Sequence, residues 1–152
     1  MATVYGVNKT KYKNAIGENL VNSGVNKGQV CYMYDSYEAS SLAAASLIEV
    51  CDLIPRGAVV TKITILTDNL GGSATIDIGD ALDDDRYGAA VDISGQATTY
   101  VYPEAAAAAS IANYGYEIVD TGTASTSSNQ LKLLVNTSAV TGTIKVGVEY
   151  AV

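Results

Sequence analysis

The densest chemistry-bearing stretch of the chain is GDALDDDRYG at residues 79–88, with four aspartates and one arginine in ten positions. Carboxylates at that density suit a hard cation, acid–base catalysis by a facing pair, or an ion-paired structural corner. Calcium takes about six to eight oxygens, and an EF-hand loop spaces its acids around a central glycine. Asp83, Asp84 and Asp85 are consecutive instead. In an extended chain they alternate sides, so at most Asp83 and Asp85 converge. A glycosidase needs two carboxylates facing each other across a groove, which neighbours in one loop do not supply. The structural reading is the simplest: Arg86 pairs with Asp80 or Asp85 and fixes a strand-to-strand turn, while Asp83 and Asp84 stay in water. On that reading the stretch holds no metal, no cofactor and no catalytic residue.

Composition narrows the chemistry further. Among 152 residues there is no His, no Phe and no Trp, whereas Tyr appears 11 times. Without histidine there is no Ser-His-Asp or Cys-His nucleophile system, no imidazole zinc site and no ordinary near-neutral proton shuttle. The expectation is a protein that is not an enzyme. Cys31 and Cys51 are too few for a disulfide scaffold, and both follow valine in strand-like runs, which predicts buried, reduced thiols.

The elements that must position these residues have a period of two. In SATIDIGD (73–80), Ala74, Ile76 and Ile78 share one side. In TIKVGVEY (143–150), Ile144, Val146, Val148 and Tyr150 alternate with Lys145, Gly147 and Glu149. AVVTKITIL (58–66) and QLKLLVN (130–136) behave alike, and 29–37, 46–51, 98–102 and 114–119 are weaker strand candidates. Parity would turn Asp80 toward the apolar side of its strand, so that strand should end at Gly79. Two alanine-rich pieces interrupt the pattern. PEAAAAASIANYG (103–115) has Pro at a helix start and Gly115 as a stop, which fits a short helix or an extended loop. SSLAAASL (40–47) fits a helix or a crossing loop equally, and TGTASTSSNQ (121–130) is a low-complexity loop. About eight short strands between turn-rich stretches predict an all-β fold, a single antiparallel β-sandwich of jelly-roll type.

Charge divides the chain. Residues 1–27 hold four lysines against one glutamate, a net of +3, which leaves −10 on the remainder of a chain whose total is −7. Asparagine and glycine recur through these residues, disfavouring a long regular element. The expected organisation is an extended basic arm at 1–27 and a sandwich at 28–152. The apolar arm residues Val4, Tyr5, Tyr12 and Ile16, with Lys9, Lys11 and Lys13, are spaced to bind a partner. An acidic body repels phosphate backbones, so no nucleic acid is expected. No run reaches the ~18 apolar residues of a membrane span, and no hydrophobic signal region opens the chain; the expectation is a cytoplasmically made, soluble protein with no membrane partner.

MATVYGVNKTKY (1–12), LIPRGAVVTKITILTDNLGG (53–72) and IDIGDALDDDRYGAAVDIS (76–94) together resemble a family of small tailed-bacteriophage virion proteins of the capsid decoration, or cement, type. The resemblance spans most of the first 95 residues. It implies a β-rich structural protein without catalytic machinery, on the outer surface of the virion capsid. Its partner would be the major capsid protein, and its assembly a homotrimer at local threefold positions. A head-fibre or minor tail protein would share these features. A calcium-dependent carbohydrate-binding jelly roll would instead use the aspartate corner and exposed tyrosines.

Overall fold

The computed structural model describes residues 29–51, 53–102, 118 and 129–152. Within them the chain runs through eight strands: β1 Val30–Leu42, β2 Leu47–Val50, β3 Val59–Thr67, β4 Thr75–Gly79, β5 Gly88–Asp92, β6 Ala97–Val101, β7 Leu131–Val135 and β8 Val140–Ala151. Their pairings are antiparallel, and the strands form two four-stranded sheets, β1-β8-β3-β6 and β2-β7-β4-β5. Pairs β4–β5, β3–β6, β2–β7 and β1–β8 nest inside one another, as when one long hairpin is wound into a jelly roll. The fold is the expected all-β sandwich.

The alternation read from sequence is what closes it. Ile63, Ile65, Ile144, Val146 and Val148 line the inner side of the first sheet. Ile48, Ile76, Ile78, Leu131, Leu133 and Val135 line the second, and both sets belong to one core. Each such side chain, fully buried, contributes roughly 1.5–3 kcal/mol. With no Phe or Trp to fill the interior, branched aliphatics dominate it and tyrosines supply its aromatic rings, Tyr87 being 2% exposed.

Three expectations are corrected or sharpened. Strand β5 was not visible in the sequence: GAAVD has small, mostly exposed residues and a bulged pairing with β4, so no apolar alternation marks it. Of the two readings of SSLAAASL, helix or crossing loop, the structure has the crossing, as a short turn between β1 of one sheet and β2 of the other. The segment ends β1, turns at residues 43–46 with Ala45 at φ 63°, and starts β2. Cys31 and Cys51 are free but only half-buried, because Cys31 lies on edge strand β1 and Cys51 just beyond edge strand β2. Residues 1–27, 103–115 and most of 114–119 and 121–130 lie outside the described residues. Ile118, which is described, is buried and exchanges backbone hydrogen bonds with Gly57 and Ala58. No helix among the described residues is long and apolar enough to cross a membrane.

Candidate functional surface

The aspartate corner is built on the β4–β5 turn of the second sheet. Strand β4 ends at Gly79, and the next residue, Asp80, turns inward until 3% of it is exposed. One carboxylate oxygen, Oδ1, accepts the backbone N–H groups of Leu82 and Asp83 at 2.7 and 3.1 Å. The other, Oδ2, accepts Arg86 Nε at 2.6 Å. The Asp80 N–H donates to the Asp83 carbonyl at 2.8 Å, which closes the turn. A Cβ on residue 79 would collide with the Asp83 and Asp84 backbone, so only glycine lets the turn fold back so tightly.

Of the two carboxylates proposed for Arg86, Asp80 is the one the buried guanidinium nitrogen contacts. Arg86 Nη1 also approaches Asp83 at 3.7 Å, so Asp83 is half-buried rather than fully wet. Asp85 is exposed and turned toward Asp83, whose hydrogen bond raises the Asp85 carboxyl above its ordinary value. Because this segment is a turn rather than an extended chain, one oxygen each from Asp83, Asp84 and Asp85 lies within 4.8 Å of the others. That is one more converging carboxylate than the alternation argument allowed. Three ligands of this kind, two of them on exposed residues, remain short of a calcium shell.

The second feature was not isolated by the sequence. On the outward side of the first sheet, the register aligns Tyr34 (β1), Gly147 (β8), Thr64 (β3) and Tyr100 (β6) in one row across all four strands. Tyr32, Glu149 and Lys62 form the adjacent row. Tyr32, Tyr34 and Tyr100 are 59%, 56% and 57% exposed. A side chain at 147 would strike the Tyr32 ring, 2.8 Å from its Cζ, so Gly147 is the gap into which that ring lies. Lys62 pairs with Glu149 and stands 5.8 Å from the Tyr100 ring centroid. The Glu149 carboxylate holds the Lys62 ammonium above its ordinary pKa. The face is therefore aromatic and internally charge-balanced at its centre. One row further on, Leu66, Thr98 and Lys145 border a cleft of about 340 Å³ that Asp68, Gln96 and Thr143 also line. A period-two pattern with tyrosine on its polar side was the available signal, but tyrosine also occurs at core positions such as Tyr150.

The residues expected to bind a partner, Val4, Tyr5, Lys9, Lys11, Tyr12, Lys13 and Ile16, lie outside the described residues.

No protein-family model matches the chain, and no curated protein sequence does either. Solved structures do. A chain of the cyanophage Pam1 capsid asymmetric unit superimposes with a TM-score of 0.60 at 22% identity, covering 82% of this chain and 86% of that one. A chain of the Ralstonia phage GP4 capsid gives a TM-score of 0.50 at 16% identity, covering 82% and 84%. At these identities the likeness shows a shared fold.

Proposed function

We propose that this protein is a bacteriophage capsid cement protein: a non-enzymatic homotrimer that binds the outer surface of the assembled major capsid protein shell and stabilises it. The observation that carries this reading is the open tyrosine face of the first sheet. Exposed aromatics are the side chains that most often anchor protein interfaces. Three tyrosines, each able to bury about 150–250 Å², approach the ~800 Å² that one partner contributes to a standard interface. The charges among them are already paired, so covering the face strands no lone ion at its centre. Support comes from the two capsid chains that share the fold over more than four-fifths of their length. The basic residues 1–27 add to attachment, through a component that salt should weaken.

Co-sedimentation with undecorated capsids tests the reading. The wild-type protein should saturate the shell at a fixed ratio to the capsid protein. Tyr34→Ala with Tyr100→Ala should bind at least ~30-fold more weakly, as expected where interface anchors worth about 2 kcal/mol are lost. Both residues are exposed, so circular dichroism should be unchanged. Wild-type protein that ignores capsids, or a double variant that binds as tightly as wild type, would overturn the assignment. Mass spectrometry of purified virions separates cement from head fibre or minor tail, because only a cement protein approaches the capsid protein in copy number.

A further inference from the structure

Among the described residues the two sheets have four edge strands, and three of them are short: β2 has 4 residues, β5 has 5 and β6 has 5. Short edges are a common protection against unwanted pairing. The fourth edge, β1, has 13 residues. Its regular pairing with β8 runs unbroken from Val30 to Ala39 before the register shifts, with Ser41 at φ 49°. Among the described residues no strand pairs its other side. VCYMYDSYEA contains no proline, lysine or arginine, the residues that usually guard such an edge. Its ionised groups are Asp35 and Glu38 alone. The two carboxylate oxygens of Asp35 take the Ser36 and Cys51 N–H groups at the middle of this edge, and the backbone on either side of it is a template for an added strand.

We infer that the open edge of β1 is a strand-addition site for residues 3–13 of a second copy of this chain. That segment, TVYGVNKTKYK, is long enough to match the ten-residue edge and contains no proline. It carries three lysines and no acid, opposite in charge to the acidic edge. Pairing β1 with a second β1 is disfavoured by the same sign logic, since it gathers four carboxylates. Pairing with the arm of the same copy would turn residues 14–28 into a hairpin loop of about fifteen residues, where hairpin loops usually have 2–5. Donation from one copy to the next is a head-to-tail contact, which gives a ring where the rotation between copies closes and an open filament where it does not. This inference deepens the trimer in the proposed function by naming its interface, yet it needs no capsid, so its failure leaves the attachment reading standing.

The test uses full-length protein in free solution, by light scattering after size exclusion and by hydrogen exchange. Wild type should form closed oligomers in which amides of residues 30–39 are protected, and dilution should expose them. Val7→Pro removes a ladder donor from the arm without changing charge. Ser36→Lys with Glu38→Lys guards the edge. Each variant alone should associate at least roughly tenfold more weakly. Mixed together they should form a one-to-one pair but no closed ring, because one retains the edge and the other the arm and each pair therefore holds a single intact contact. A wild-type monomer at every concentration would refute the inference. So would Val7→Pro protein with wild-type association, or failure of the mixture to associate.

Discussion

Replacing Arg86 by alanine probes the best-defined buried charge in the molecule. The side chain of Asp80 is 1% exposed and that of Arg86 10%, so their contact is screened little by solvent. Removing the guanidinium leaves Oδ1 with its two backbone donors but strips Oδ2 of the 2.6 Å bond. A hydrogen bond to a charged group contributes about 1.5–3 kcal/mol, and breaking a buried pair costs about 3–5 kcal/mol when nothing else compensates. Two retained N–H donors place Arg86→Ala at the lower end of the second range, about 3 kcal/mol. For a domain of this size each kcal/mol moves Tm by roughly 2–4 °C, so a fall of about 6–12 °C is expected. Asp84→Ala, on an exposed residue of the same turn, should stay within about 0.5 kcal/mol. Urea unfolding followed by circular dichroism measures both. Because Arg86 also approaches Asp83, a double-mutant cycle with Asp80→Asn isolates the Asp80 coupling. Equal, small effects from Arg86→Ala and Asp84→Ala would show that the corner is held by its backbone turn and not by the ion pair.

Chelation should leave the melting temperature unchanged, because the three converging carboxylates do not complete a cation shell. A chelator-induced fall of several degrees that Ca²⁺ reverses would identify an occupied site. The Cys51 thiol is pushed up to about 11 from an ordinary 9.0, first by burial and then by the nearby Asp35 carboxylate. At pH 8 its thiolate fraction, and with it the alkylation rate of native protein, should be about 100-fold below that of an ordinary thiol. Denaturation should abolish the difference. The sign for stability follows: a thiol whose pKa is raised by folding opposes the native state once it ionises, so its effect appears as pH rises from 9 toward 11.

The strands that sequence made plain are those whose inner and outer residues differ in kind. In β8, Ile144, Val146 and Val148 alternate with Lys145, Gly147 and Glu149, and burial follows that alternation except at Gly147, which the Tyr32 ring covers. Strand β5 escaped because alanine and glycine fit either side of a sheet, and only pairing with β4 defines it. The corner was half legible. Parity along β4 marked Asp80 as the inward acid, but treating 83–85 as extended hid the turn that gathers their carboxylates. The tyrosine face was illegible for a different reason. It is a property of register across four strands whose members lie as far apart in sequence as Tyr32 and Glu149, and no local window contains it.

Register also keeps the corner and the face apart. Asp80 and Arg86 belong to the β4–β5 turn of the second sheet, whereas Tyr32, Tyr34 and Tyr100 stand on the outer side of the first. Between them lies the shared core of Ile63, Ile65, Ile76, Ile78, Leu133 and Val146. A close-packed interior of this kind resists small local shifts, so weakening the corner lowers the free energy of unfolding without rearranging the tyrosine rows. The β1 edge belongs to the same sheet as the rings: Tyr32 and Tyr34 project from the very strand whose backbone is open. A strand added there would extend the aromatic face sideways into the next copy. Assembly of copies and attachment to a surface would then be coupled through one element, while the acidic corner acts on both only by keeping the sandwich folded.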